Sequence, residues 1–368
     1  MARITLDNLA HAYGARPRTE DDWALKPMTM SWRDGGAYAL LGSSGCGKTT
    51  LLNIISGLLV PSRGRVLFGD RDVTTLPTAA RNIAQVFQFP VVYDTMSVRD
   101  NLAFPLKNRG LPAAQIAARV AEVAAMIGMA DALDRRARGL TADAKQKISL
   151  GRGMVRQDVN AILFDEPLTV IDPHMKWELR TQLKSLHRQF GHTMIYVTHD
   201  QTEALTFADQ VVVMSEGRVV QAGTPQALFD RPEHTFVGYF IGSPGMNLLD
   251  AEVRGDRALI AGAQIALPGD HGLPQGRVQI GIRPEFVTPA EGGRGEDGAG
   301  LPFRLERVED VGHHRILRGR VGDQPMTMLL PEDHAVPAGI DRAVPATAHL
   351  HVYADDWRVP PVAGERAD

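Results

Sequence analysis

The chain has 368 residues, 44% hydrophobic and 23% charged, with a formal net charge of -3 and one cysteine. That length accommodates two or three domains, and the composition is that of an ordinary globular protein. The weak net charge supplies no bulk attraction to nucleic acid. A single Cys46 excludes a disulfide framework and fits a cytosolic setting. The N-terminus has no apolar signal-peptide core, and no apolar run reaches the length of a membrane span, so a membrane role is expected only through docking.

Residues 1–35 read as strand, loop and strand, with a polar loop from Ala15 to Asp22. Tyr13 ends the first strand; its ring can stack on a purine base or close the sheet. The apolar run Tyr38-Ala39-Leu40-Leu41 reads as a strand and is followed by Gly42-Ser43-Ser44-Gly45-Cys46-Gly47-Lys48-Thr49. This fits the phosphate-loop pattern in its required context, between a strand and a helix expected from Thr49 to Leu59. Backbone N–H groups of such a loop cradle phosphates, and the helix start adds its positive end. Lys48 can reach the β- and γ-phosphates, the Thr49 hydroxyl can ligate Mg²⁺, and the phosphate-binding set extends to Thr50.

A turn is expected at Pro61-Ser62-Arg63-Gly64, then strands through Val66-Leu67-Phe68 and from Asn82 to Phe87. Gln88 follows directly and can place its amide oxygen on the metal, or serve as polar surface. From Ser97 to Lys147 the pattern is helical, with Ile116, Val120, Val123, Ala124 and Ile127 at helix spacing and breaks at Pro105 and Pro112. The strand Asn160 to Phe164 reads as buried and ends in Asp165-Glu166-Pro167. Asp165 can hold Mg²⁺ through water, and Glu166 can polarise the water that attacks the γ-phosphate. The C-terminal end of a strand is where open α/β sheets place ligands.

A helix is expected near Asp172, with Asp172 as cap and Pro173 in the first turn. The strand Thr193 to Val197 stops at Thr198-His199, where His199 can bond the γ-phosphate, hold the attacking water, or be structural. Asp200 and Glu203 have capping-box spacing, and Gln210 to Met214 is taken as the last strand of this unit. Alternating strands and helices predict an α/β fold with buried parallel strands. The character changes at Ile241-Gly242-Ser243-Pro244-Gly245. Beyond it, short strands at Arg277 to Ile282, Phe303 to Val308 and Ala346 to Val352, with a low-complexity linker Glu291 to Gly298, predict a small antiparallel barrel.

Phe87-Gln88, Leu140-Thr141-Ala142-Asp143-Ala144-Lys145-Gln146-Lys147, Asp165-Glu166-Pro167, Ile171-Asp172 and Thr198-His199-Asp200 resemble the Q-loop, signature, Walker B, D-loop and H-loop of ABC transporter ATPases. Tyr13 matches their adenine-stacking position, and Gly42 to Thr49 their Walker A. Gly281-Ile282-Arg283-Pro284-Glu285 resembles a segment of the regulatory barrel in maltose-type importers of sugars and polyols. The resemblance implies a P-loop NTPase domain over residues 1–240, with a helical subdomain at about 90–155, and an OB-like (TOBE) β-barrel over 241–368. It implies ATP and Mg²⁺ as ligands, Glu166 and His199 as the catalytic pair, and Thr49, Gln88 and Asp165 at the metal. Thr141 and Asp172 are carried over as nucleotide contacts.

It further implies a second ABC ATPase, two membrane permeases and a periplasmic solute-binding protein as partners. The chain would lie peripherally on the cytoplasmic face of the inner membrane, with neither nucleic acid nor direct membrane insertion. The segments Phe87 to Met96 and Leu140 to Gly153 are similar to those of bacterial glycerol importers, systems with two different ATPases. Glycerol is therefore the expected solute, with glycerol 3-phosphate or a sugar as alternatives and a regulatory ATP-binding module of low turnover as the rival class.

One departure stands out. Where the family has Leu-Ser-Gly-Gly-Gln, this chain has Leu140-Thr141-Ala142-Asp143-Ala144. The glycines let N–H groups approach a phosphate, whereas Asp143 adds a negative charge worth about 1–4 kcal/mol of repulsion at close range, and less if it points away. An intact Walker half beside an altered signature favours a heterodimer in which the partner supplies the regular signature.

Overall fold

The computed structural model describes residues 3–14, 17–291 and 300–362. Residues 15 and 16 of the expected polar loop, and nearly all of the linker between Glu291 and Gly298, lie outside the described residues. Contacts divide the chain into two compact units, Met1–Pro225 and Gln226–Asp368.

The first unit opens with β1 (Ile4–His11), β2 (Leu25–Trp32) and β3 (Ala37–Gly42), then α1 (Lys48–Ser56), β4 (Arg63–Phe68), β5 (Arg71–Asp72), α2 (Thr78–Arg81) and β6 (Ile83–Val86). A helical stretch follows, α3 (Val98–Lys107), α4 (Ala113–Met126) and α5 (Ala142–Met154). The unit continues as β7 (Ala161–Asp165), α6 (Pro173–Phe190), β8 (Met194–Thr198), α7 (Gln201–Phe207), β9 (Gln210–Ser215) and β10 (Arg218–Gly223).

One sheet runs β2-β1-β4-β5 and a second runs β10-β9-β3-β8-β7-β6. In the second, β3, β6, β7, β8 and β9 pair in parallel, and β10 closes the edge antiparallel to β9. Strands β3, β7 and β8 are buried at every position, as parallel strands covered on both faces should be. Strand β10 is a correction to the sequence reading. It returns through a two-residue hairpin at Glu216 and Gly217, both with positive φ (49° and 74°). Such a turn matches the strand twist, but Glu at its first position is a weak sequence signal.

Helix α1 ends earlier than expected because Gly57 adopts the left-handed conformation (φ 82°) and caps it. Its orphan carbonyls have a second partner. Arg81, 1% exposed, donates to the carbonyls of Ile54 (2.7 Å) and Ile55 (2.9 Å), and also to those of Leu76 and Thr74. The buried guanidinium thus satisfies the helix end that burial would otherwise penalise. Pro105 does not break a helix; it lies in the last turn of α3, which ends two residues later at Lys107. Pro112 does mark a boundary, directly before α4.

The second unit begins with helices Pro225–Asp230 and Thr235–Phe240, earlier than the expected boundary after residue 240. Arg283, 3% exposed, ties both to the barrel strands. Its Nε donates to Phe229 O at 2.8 Å, its Nη1 donates to Ile241 O, and its charge lies 3.9 Å from the Phe229 ring centroid. Tyr353 adds a hydrogen bond to Pro232 O at 2.9 Å.

All described strand pairings in this unit are antiparallel. They enclose a core that includes Leu249, Ile280, Leu317, Met328 and Val352. The expected strand at Ala346 to Val352 starts late: Thr347–His349 is a 3-10 turn and the strand spans His351–Ala354. No described helix is long and apolar enough to cross a membrane.

Candidate nucleotide site

Parallel pairing brings the chemistry to one edge of the large sheet. Leu41 of β3 pairs with Thr198 of β8, Val197 with Asp165 of β7, and Phe164 with Val86 of β6. The phosphate loop, His199, Asp165-Glu166 and Gln88 therefore all leave the C-terminal ends of adjacent strands, the ligand edge of such sheets. Strand β8 lies between β3 and β7, an order the linear sequence does not reveal.

The loop Gly42 to Gly47 is shaped by its glycines. A Cβ on Gly42 would meet Met214 O at 2.2 Å, and one on Gly47 would meet Ala24 O at 2.6 Å in a backbone already at φ 99°. Gly45, also at positive φ (81°), has nothing within 4 Å of its Cβ position. Ser43 accepts a turn bond from Cys46 N at 3.3 Å, and Ser44 is exposed beside it. Cys46 is buried, which pushes its thiol pKa up against the opposing pull of Lys48; an un-ionised thiol here is packing, not chemistry. Lys48, 5% exposed, donates from Nζ to the carbonyls of Gly42 (2.8 Å) and Ser43 (2.9 Å). Both acceptors are neutral, so its full charge remains for an anion.

Thr49 Oγ1 donates to Asp165 Oδ1 at 3.1 Å. A hydroxyl and a carboxylate side by side are hard oxygen ligands of the kind Mg²⁺ takes alongside phosphates. Among the described residues no group of three or more His, Cys, Asp or Glu could hold a metal alone, and a cation shared with phosphate oxygens requires none. Burial pushes the Asp165 carboxyl above its usual range, and Glu166 adds to this, while Thr49 and Lys48 oppose it.

A carboxyl whose folded pKa exceeds its unfolded value favours the fold at low pH, and this contribution is lost as pH rises through the folded pKa. At neutral pH the ionised Asp165 therefore costs stability in the absence of ligand. Asp165→Asn is expected to raise the Tm of the nucleotide-free protein and to abolish the further rise on adding Mg²⁺ and ATP. Thermal unfolding with and without both checks each half.

Glu166 carries positive φ (45°), uncommon for a non-glycine and a strain of about 1–3 kcal/mol. Its N–H is anchored on Val197 O at 2.9 Å. Its Oε2 accepts from Thr169 Oγ1 at 3.3 Å and lies 3.1 Å from His199 Nδ1. A carboxylate only accepts, so Nδ1 carries the proton in this pair. The sequence-derived pair Glu166 and His199 is thus brought into direct contact.

Tyr13 is 70% exposed, two residues past β1, with its hydroxyl 3.0 Å from Thr50 Oγ1 and its ring edge-on to His11 at 4.9 Å. An exposed ring fixed from behind leaves a face open for a base. Gln88 is half-buried in the turn after β6. Asp172 caps α6, accepting from His174 N at 2.9 Å. Asp200 caps α7 through Glu203 N at 3.1 Å, but the reciprocal half of the expected box is missing, because the Glu203 side chain turns inward.

At the signature, Thr141 caps α5 by accepting from Ala144 N at 3.3 Å. Asp143 Oδ2 lies 3.4 Å from Lys147 Nζ, one turn along the helix, so the acidic side chain carries its own counter-charge. Gln146, part of the signature segment but given no role there by the sequence, is fully buried. Its amide donates to Phe87 O (3.2 Å) and Pro167 O (2.8 Å), joining the signature helix to the segments beside Gln88 and Glu166.

Comparison with known proteins places the chain in a family. The ABC transporter family profile matches residues 25–169, and that of the MalK OB fold domain matches residues 242–287. An sn-glycerol-3-phosphate import ATP-binding protein of Ruegeria pomeroyi is 40% identical over 96% of this chain and 97% of its own length. Another from Jannaschia sp. is 37% identical over 97% and 99%. A sulfoquinovosyl glycerol transport ATP-binding protein of Agrobacterium fabrum is 39% identical over 90% and 91%. The solved structure of cbiO1 from Clostridium perfringens, part of the ABC transporter complex cbiONQ, superposes with a TM-score of 0.56 at 28% identity, covering 62% of this chain and 90% of that one. The chain therefore belongs to the ATP-hydrolysing subunits of ABC transporters, in the maltose-type group of importers.

Proposed function

We propose that this chain is the hydrolytically competent half of an asymmetric ATPase pair that drives import of glycerol. The observation that carries the reading is the contrast within one chain. Lys48, Thr49, Asp165, Glu166 and His199 form a connected Walker half, whereas Ala142 and Asp143 occupy the places of the two signature glycines. The Asp143–Lys147 ion pair lowers the repulsion expected at a nucleotide but restores neither glycine, so N–H groups still cannot be approached as closely.

Within this reading Tyr13 stacks on the adenine, and Gly42 to Thr50 wrap the phosphates. Thr49, Asp165 and Gln88 hold Mg²⁺, which when bound neutralises charge on the phosphates. Glu166 takes up proton density from the attacking water while His199 fixes its position. Thr141 and Asp172 face the nucleotide bound by a second ATPase. Two permeases and a periplasmic solute-binding protein complete the assembly on the cytoplasmic face of the inner membrane. Phe87, Phe89, Val91 and Tyr93 leave apolar surface exposed beside the helical region, which suits a permease contact. The second unit, whose described strands carry mixed charge, acts as a regulatory brace.

A second reading, glycerol 3-phosphate as solute, is favoured by the relatives' names. Proteoliposomes holding the full assembly decide between them. Added glycerol with the binding protein should stimulate ATP hydrolysis. Stimulation by glycerol 3-phosphate alone would move the solute to the second reading, and full transport with this chain as its only ATPase would reject the asymmetry.

A further inference from the structure

Glu203 lies in the first turn of α7 and is 3% exposed. Its Oε2 accepts from Tyr196 OH at 3.0 Å and from Thr198 Oγ1 at 2.8 Å, and its Oε1 lies 3.5 Å from Lys176 Nζ. Thr198 Oγ1 in turn accepts from Asp200 N at 3.0 Å. Lys176 belongs to α6, and its own N–H bonds Asp172 O at 3.0 Å. One buried carboxylate therefore joins the residues on both sides of His199 to the helix that Asp172 opens.

Stability does not account for this arrangement. Burying a carboxylate is costly, and a buried ion pair seldom repays its desolvation better than apolar packing would. The surroundings are otherwise apolar enough for such packing: Ala204 and Phe207 on the same helix are fully buried. What the network supplies is direction. Tyr196, fully buried and kept protonated by burial and by Glu203, is a fixed donor. Thr198 is held between an acceptor and a donor, so the backbone at His199 has little freedom to rotate.

We infer that Glu203 is a positioning residue for ATP hydrolysis, holding His199 against Glu166 and linking that contact, through Lys176, to the helix begun by Asp172. The inference rests on reading Glu166 and His199 as the hydrolytic pair. It adds a route by which movement at Asp172, where the partner's nucleotide would lie, reaches the water-holding histidine.

The test compares Glu203→Gln, Lys176→Met, their double variant and His199→Ala in the assembled transporter. Glu203→Gln keeps side-chain shape and an acceptor for both hydroxyls but ends the ion pair. Lys176, whose side chain is 26% exposed, can be shortened of its charge without leaving a cavity in the core. Each single variant should lower kcat by about ten- to a hundred-fold, the cost of displacing a catalytic group by a fraction of its reach. KM for ATP should stay within about twofold, since ground-state binding is untouched. The double variant should be no worse than the weaker single one, as expected of one coupled unit.

In histidine-labelled protein the His199 ring resonance should move in both single variants. Normal kcat in both singles with an impaired His199→Ala would overturn the positioning role alone. Normal kcat in His199→Ala would remove the hydrolytic reading and this inference with it. A loss of kcat in step with Tm, with the His199 resonance unmoved, would reduce Glu203 to a structural residue.

Discussion

Glu166→Gln is expected to retain ATP while turnover falls by about a hundredfold or more, the usual scale for losing a general base. The amide matches the carboxylate in shape and keeps an oxygen for Thr169, so the strained backbone anchored on Val197 should hold its position. What disappears is the negative charge that pairs with His199 Nδ1 at 3.1 Å and that, on the proposed function, would draw a proton from water. Nucleotide affinity measured by titration and steady-state hydrolysis by the assembled transporter should therefore separate. The same change in the partner ATPase should leave much of the activity, since that subunit's water would face this chain's altered signature. Near-normal hydrolysis after Glu166→Gln would assign the water to another residue, and equal losses from the two subunits would mean two obligatory sites.

Lys48→Ala should lower ATP affinity by about a hundredfold. Charge-assisted bonds are worth about 1.5–3 kcal/mol each, so two at the weak end of that range account for the factor. The effect should be nearly pure binding. Lys48 is held by two carbonyls and the neutral Cys46 thiol of its own loop, so its removal leaves no buried charge unpaired. Alanine suits the first position of α1 at least as well as lysine. Isothermal titration with the Mg²⁺ complex of ATP is the measurement; unchanged affinity would show that the loop amides bind the phosphates unaided.

The parts of the site that lie within a few residues of one another were legible in the sequence. The glycines of the phosphate loop, the carboxylates ending β7 and the Asp172 cap are local features, and local sterics decide them. The contact between Glu166 and His199 could be anticipated because both end parallel strands. Gln146 and Glu203 could not be read the same way. Each is a polar helix residue whose partners lie on other elements, reached only after the sheet order β3-β8-β7 is set. The Asp143–Lys147 pair is different: its spacing of four on a helix is plain in the sequence. Strand β10 is hidden in the sequence because its turn is carried by Glu216, and Pro105 marks no break because α3 runs only two residues past it, to Lys107.

Arg283 has a practical consequence for anyone dividing this protein. Its guanidinium is buried and draws its acceptors from Phe229 and Ile241. A chain ended at Phe240 would carry away two helices without the cation that organises their ends, while the barrel left behind would keep the Ile241 carbonyl but lose the Phe229 carbonyl and ring from its buried Arg283. A junction between Pro225 and Gln226 severs none of these bonds. Hybrids that graft this barrel onto another ATPase should therefore carry the two helices as part of the graft, treating them as the barrel's own handle.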